Sequence, residues 1–113
     1  MFKDFSGKEW QSEDEYTFYK TNRKRYLSLS LAVENYIVYT GKNEIFKTEA
    51  FTKLKELRTN QSNYTTAELL SQSSEIVKLF EQLIKEIGLE FFTQYDDGTM
   101  TFNWPQKDTV VQK

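Results

Sequence analysis

Leu27-Ser28-Leu29-Ser30-Leu31-Ala32-Val33 is the stretch on which the fold of this chain turns. Large aliphatic residues alternate with small ones at strict period two, the signature of a half-buried β-strand. A continuous helix over residues 13–40 is the rival, but it scatters these leucines around its circumference. The alternation therefore predicts a strand from Lys24 to Val33, preceded by one from about Glu15 to Thr21, with Asn22-Arg23 as the turn. In that register Tyr19 lies opposite Tyr26, Phe18 opposite Leu27 and Tyr16 opposite Leu29, and opposed residues share a face. A third strand, Tyr36 to Thr40, returns through Glu34-Asn35 and stops at Gly41.

Downstream the period changes to that of a helix. Phe46, Ala50, Leu54 and Leu57 recur at helical spacing between Glu44 and Arg58. Thr65-Thr66-Ala67-Glu68 reads as a capping box. It opens a second helix whose apolar stripe is Leu69, Leu70, Ser73, Ile76, Val77, Phe80, Leu83, Ile84 and Ile87, with Gly88 as a left-handed stop. Asp97-Gly98 is a type I′ hairpin signal between Leu89–Tyr95 and Thr99–Trp104. A two-residue loop there sets Tyr95 opposite Met100, Thr93 opposite Phe102 and Phe91 opposite Trp104.

The order β-β-β-α-α-β-β predicts an α+β fold, a two-layer sandwich. Its mostly antiparallel sheet would have about five strands, with two helices on one face. With 113 residues the chain is expected to be a single domain over 1–113. Residues 1–12 form a lead-in segment, and residues 106–113 a frayed tail.

Composition limits the chemistry. The chain has no histidine and no cysteine. That removes the commonest general base, the commonest metal ligand and every thiolate, so no cofactor, no metal and no enzymatic activity are expected. The four glycines, Gly7, Gly41, Gly88 and Gly98, are too far apart to cradle a phosphate. Asp96 and Asp97 read as turn residues and Glu9, Glu13, Asp14 and Glu15 as a solvated acidic face. No apolar run approaches the roughly 20 residues needed to cross a bilayer, and a cytoplasmic location is expected. The abundance of Lys, Asn, Ile, Phe and Tyr suits a low-GC bacterium, its plasmids or its phages.

One segment looks aimed at a partner. Lys20-Thr21-Asn22-Arg23-Lys24-Arg25 carries four positive charges and no negative one, between Tyr19 and Tyr26. Because the formal net charge is −2, any contact with nucleic acid must use a local patch. The expectation is a small non-enzymatic regulatory protein that binds single-stranded RNA, or DNA, through this hairpin. Arg23, Lys24 and Arg25 would hold phosphates while Tyr19 and Tyr26 stack bases. A duplex is disfavoured because no helix is basic enough to enter a major groove. In the competing arrangement these tyrosines pack under Phe2, Phe5 and Trp10. The second functional expectation is a protein-binding inhibitor, immunity or adaptor protein, with Tyr36–Thr40 as an edge strand open to augmentation.

Overall fold

In the computed structural model, which describes residues 1–105, the chain opens with a hairpin of two short strands, β1 (Phe2–Lys3) and β2 (Glu9–Trp10). One 28-residue helix follows, α1 (Glu13–Thr40). Helix α1 replaces the whole expected first hairpin and the expected third strand. After a 3-10 turn over Asn43–Lys47 come α2 (Glu49–Asn60) and α3 (Thr66–Ile87). A second hairpin, β3 (Phe92–Gln94) with β4 (Met100–Phe102), completes the described chain. The architecture is thus three helices and two separate two-stranded hairpins, not a five-stranded sandwich with two helices. The expected frayed tail, 106–113, lies outside the described residues.

The helix wins because it has a better stripe than the leucine ladder. Tyr19, Asn22, Tyr26, Leu29, Val33 and Tyr36 are all buried, spaced alternately three and four apart. That is a heptad seam of period 3.5. It is built from tyrosines and one asparagine as much as from aliphatics, so the alternating leucines outshine it in the sequence. The leucines are indeed scattered: Leu29 is 0% exposed and Leu31 57% exposed, as expected for residues about 200° apart around a helix axis. No glycine or proline interrupts residues 13–40, where a meander would need turns. The ends are specified locally. Ser12 Oγ accepts from Glu15 N–H, and Glu13, Asp14 and Glu15 place the acidic stretch in the first helical turn. Gly41, at φ 76°, closes the helix by donating its N–H to Ile37 O.

Helix α1 packs along α3 and against β4, while α2 packs on α3. Lys8 Nζ donates to Tyr64 O at 2.9 Å, beside the start of α3, and the Tyr36 ring lies 5.4 Å from Phe91, just past its end. Helices α1 and α3 therefore run parallel, with α2 as the return. The capping box forms as expected: Thr65 Oγ1 accepts from Glu68 N–H, and Glu68 Oε1 accepts from Thr65 N–H. The α3 stripe also holds, with Leu69, Ser73, Ile76, Val77, Phe80, Leu83 and Ile84 buried. Gly88 does end α3, but at φ 128° and ψ 120° it is not in the left-handed helical region. The expected 44–58 helix is broken at Thr48, whose extended backbone leaves Phe46 in the 3-10 turn and exposed.

The C-terminal hairpin is present in a register one residue away from the expected one. Its pairs are Phe92 with Phe102, Thr93 with Thr101 and Gln94 with Met100. Tyr95 N–H donates to Thr99 O and Gly98 N–H to Tyr95 O, so the loop is Asp96-Asp97-Gly98, three residues instead of two. A slip of one exchanges the faces. Phe92, Met100 and Phe102 go into the core against α1, and Tyr95 and Phe91 turn outward.

One core position is unfavourable. Asn22 is 3% exposed, and its Nδ2 has no hydrogen-bond partner among the described residues. An orphaned buried donor costs about 1–3 kcal/mol, whereas an apolar group of similar shape avoids that cost. Asn22→Leu is therefore expected to stabilise the protein by about 1–2 kcal/mol in urea denaturation. A less stable variant would contradict this account of the seam.

Candidate nucleic-acid interface

Because Lys20–Arg25 is helical, its charges divide between two sides of α1. Lys20 and Arg23 are exposed neighbours at helical spacing, while Lys24 and Arg25 reach toward the second hairpin. Tyr19 and Tyr26 are seven residues apart in the buried seam, 7% and 2% exposed. The Tyr19 ring packs on Trp10 at 5.1 Å. Neither ring offers a face to a base, so the expected stacking pair is corrected: these tyrosines are core. Burial pushes the Tyr26 hydroxyl up to about 12, helped by Tyr19 and opposed by Arg23 and Arg58, which both lie near it. Burial raises the Tyr19 hydroxyl as well.

Two of the expected phosphate contacts are engaged within the fold. Lys24 Nζ lies 3.2 Å from Asp97 Oδ2, and Arg25 Nε–H donates to Asp97 O at 3.2 Å. Beside them Ser28 Oγ donates to Met100 O and accepts from Met100 N–H. Together these contacts pin the second hairpin to α1. The Thr99 hydroxyl and N–H, with Lys24, draw the Asp97 carboxyl down to about 2. Gly98 allows the approach: at φ +86°, a Cβ there would stand 2.5 Å from Arg25 Nε.

The remaining cations converge elsewhere. A cavity of about 250 Å³ lies between the first hairpin, the start of α1 and the start of α3, with Phe5, Lys8, Trp10, Tyr19, Lys20 and Arg23 in its wall. Lys20 Nζ sits 5.0 Å over the Tyr16 ring, a cation–π contact. Lys8 is braced by Tyr64 O. An adjoining cavity of about 460 Å³ shares Lys8 and adds Arg58 from the end of α2. Asp4 also borders the first cavity, but its carboxylate is used by its own turn. Burial pushes its pKa up, and hydrogen bonds from Ser6, Trp10 and Lys8 outweigh that and hold it below the usual range.

Lys8, Lys20, Arg23 and Arg58 thus come from three elements to one corner of the molecule. Among the described residues, ion pairs within 4.0 Å are Lys24–Asp97 and Lys53–Glu75, so none of these four has a carboxylate partner. Arg23 was legible in the sequence as part of the charge run. Lys8 and Arg58 were not, because only the packing of the first hairpin and α2 carries them there. No described helix is long and apolar enough to cross a membrane. Comparison with protein-family models, with curated proteins and with solved structures finds no match to this chain.

Proposed function

We propose that this chain is a small, non-enzymatic regulatory protein of the cytoplasm that binds single-stranded nucleic acid, RNA in preference to duplex DNA. The carrying observation is the set of four cations, Lys8, Lys20, Arg23 and Arg58, without carboxylate partners among the described residues and around two adjoining cavities. Like charges brought together repel, and an anionic backbone relieves that repulsion while releasing its own counterions. A single strand fits better than a duplex. The exposed basic face of α1 is continuous with Glu13, Asp14 and Glu15 in its first turn, which would repel the phosphates flanking a major groove.

Fluorescence anisotropy with labelled single-stranded RNA, single-stranded DNA and duplex DNA, at about 50 and about 200 mM salt, tests this reading. Affinity is expected to fall steeply with salt. Lys20→Ala/Arg23→Ala should make the salt slope shallower by about 1.4, the share of two phosphate contacts on a single strand. No binding at the lower salt would end the proposal.

A second reading, a protein-binding inhibitor or adaptor, has one observation in its favour. Leu31 and Val38 lie one heptad apart on the outer face of α1, 57% and 73% exposed. Strand augmentation at Tyr36–Thr40 is no longer part of it, since those residues are helical.

A further inference from the structure

We infer that Phe5 is the ring on which a nucleobase stacks, the neighbouring phosphates being taken by Lys8, Lys20 and Arg23. This rests on the nucleic-acid reading above and supplies the aromatic surface that Tyr19 and Tyr26 do not. Phe5 is fully exposed, at 106% of its reference area, and is not among the apolar side chains packed against the core. Folding therefore gives no reason for a large apolar ring at this position. The same side chain borders the cavity whose wall carries Lys8, Lys20 and Arg23.

The backbone beneath Phe5 is held firmly. Gly7 N–H donates to Asp4 O at 3.0 Å and Asp4 N–H to Lys8 O at 2.9 Å. Asp4 Oδ1 accepts from Ser6 N–H, Ser6 Oγ–H and Lys8 N–H, at 2.9, 2.6 and 3.1 Å. Asp4 Oδ2 accepts from Trp10 Nε1–H at 2.8 Å, and Trp10 is wholly buried. A five-residue turn anchored by one carboxylate and one core indole thus fixes the backbone from which the free Phe5 ring projects. Pre-ordering lowers the entropic cost of binding.

The ligand class follows from the chemistry. A phenyl ring has no hydrogen-bonding group, so it accepts any base, and the cations read only the backbone. That combination describes a single strand bound with little sequence preference.

The test uses the full chain and a uniform single-stranded RNA carrying a fluorescent base analogue whose emission is quenched by stacking. Phe5→Ala is expected to weaken binding roughly 5- to 150-fold, the range for losing one stacked base. It should abolish the quench and leave the salt slope unchanged. Phe5→Trp should keep both affinity and quench, while Lys20→Ala/Arg23→Ala should keep the quench and make the salt slope shallower. Because Phe5 is fully exposed, thermal melts of its variants should match the parent. If Phe5→Ala binds and quenches like the parent while the double variant still shows a shallower salt slope, stacking on Phe5 is wrong and the phosphate contacts stand. If the parent itself does not bind, both proposals fall.

Discussion

Leu29→Ala is expected to cost about 3–5 kcal/mol, and Leu31→Ala, two residues along, to change stability by no more than about 0.5 kcal/mol. Leu29 is 0% exposed, in the seam between α1 and α3, and truncating it leaves a cavity that a close-packed interior fills only in part. Leu31 is 57% exposed, so its loss removes little buried surface. In a strand both residues would lie on one face and cost similar amounts. Urea denaturation with unchanged m-values makes the comparison. Equal losses would restore the ladder to one face and contradict helix α1. Against a total of about 5–15 kcal/mol for a domain of this kind, the Leu29 variant sacrifices a large share of its stability.

Trp10→Ala is expected to cost about 3–5 kcal/mol as well, and to take the candidate site with it. Trp10 is wholly buried, with ring contacts to Tyr16 at 5.5 Å and Tyr19 at 5.1 Å, and its Nε1–H holds Asp4. Without the indole, β1 and β2 lose their anchor to α1, and the turn carrying Phe5 and Lys8 loses its place. Amide exchange should speed up through residues 2–10 beyond its rise elsewhere, and affinity for single-stranded RNA should fall together with stability. Trp10→Phe separates the two roles. It keeps a ring against Tyr19 but removes the donor to the Asp4 carboxylate, so its cost should be nearer the roughly 1.5–3 kcal/mol of one hydrogen bond to a charged group. Unchanged stability in Trp10→Ala would show that the first hairpin does not belong to the cooperative core.

The two hairpins show what local pattern conveys. Asp97-Gly98 marked the turn correctly, because the glycine at φ +86° is a requirement of that turn alone. It did not set the register. A two-residue and a three-residue loop both accept Asp-Gly, and burial of Phe92, Met100 and Phe102 against α1 selects the second. Lys24 and Arg25 looked like free cations because their partner, Asp97, lies more than seventy residues away. Tyr19 and Tyr26 looked like an exposed pair on the assumption of a strand. As helix residues the same two rings belong to a seven-residue repeat and must point inward together.

By itself the sequence determined α3, from its capping box to Gly88, along with the site of the last turn and the absence of histidine and thiolate chemistry. Each of these depends on residues within a few positions of one another, where propensity and capping act. Only the tertiary structure decided that residues 13–40 are helical. Their leucines satisfy period two and their tyrosines period 3.5, and the choice between them rests on which set finds a partner. The parallel stripe of α3, more than thirty residues further on, matches the second set. The same long-range packing brings Lys8 and Arg58 to Lys20 and Arg23, and leaves Phe5 outside the core beside them.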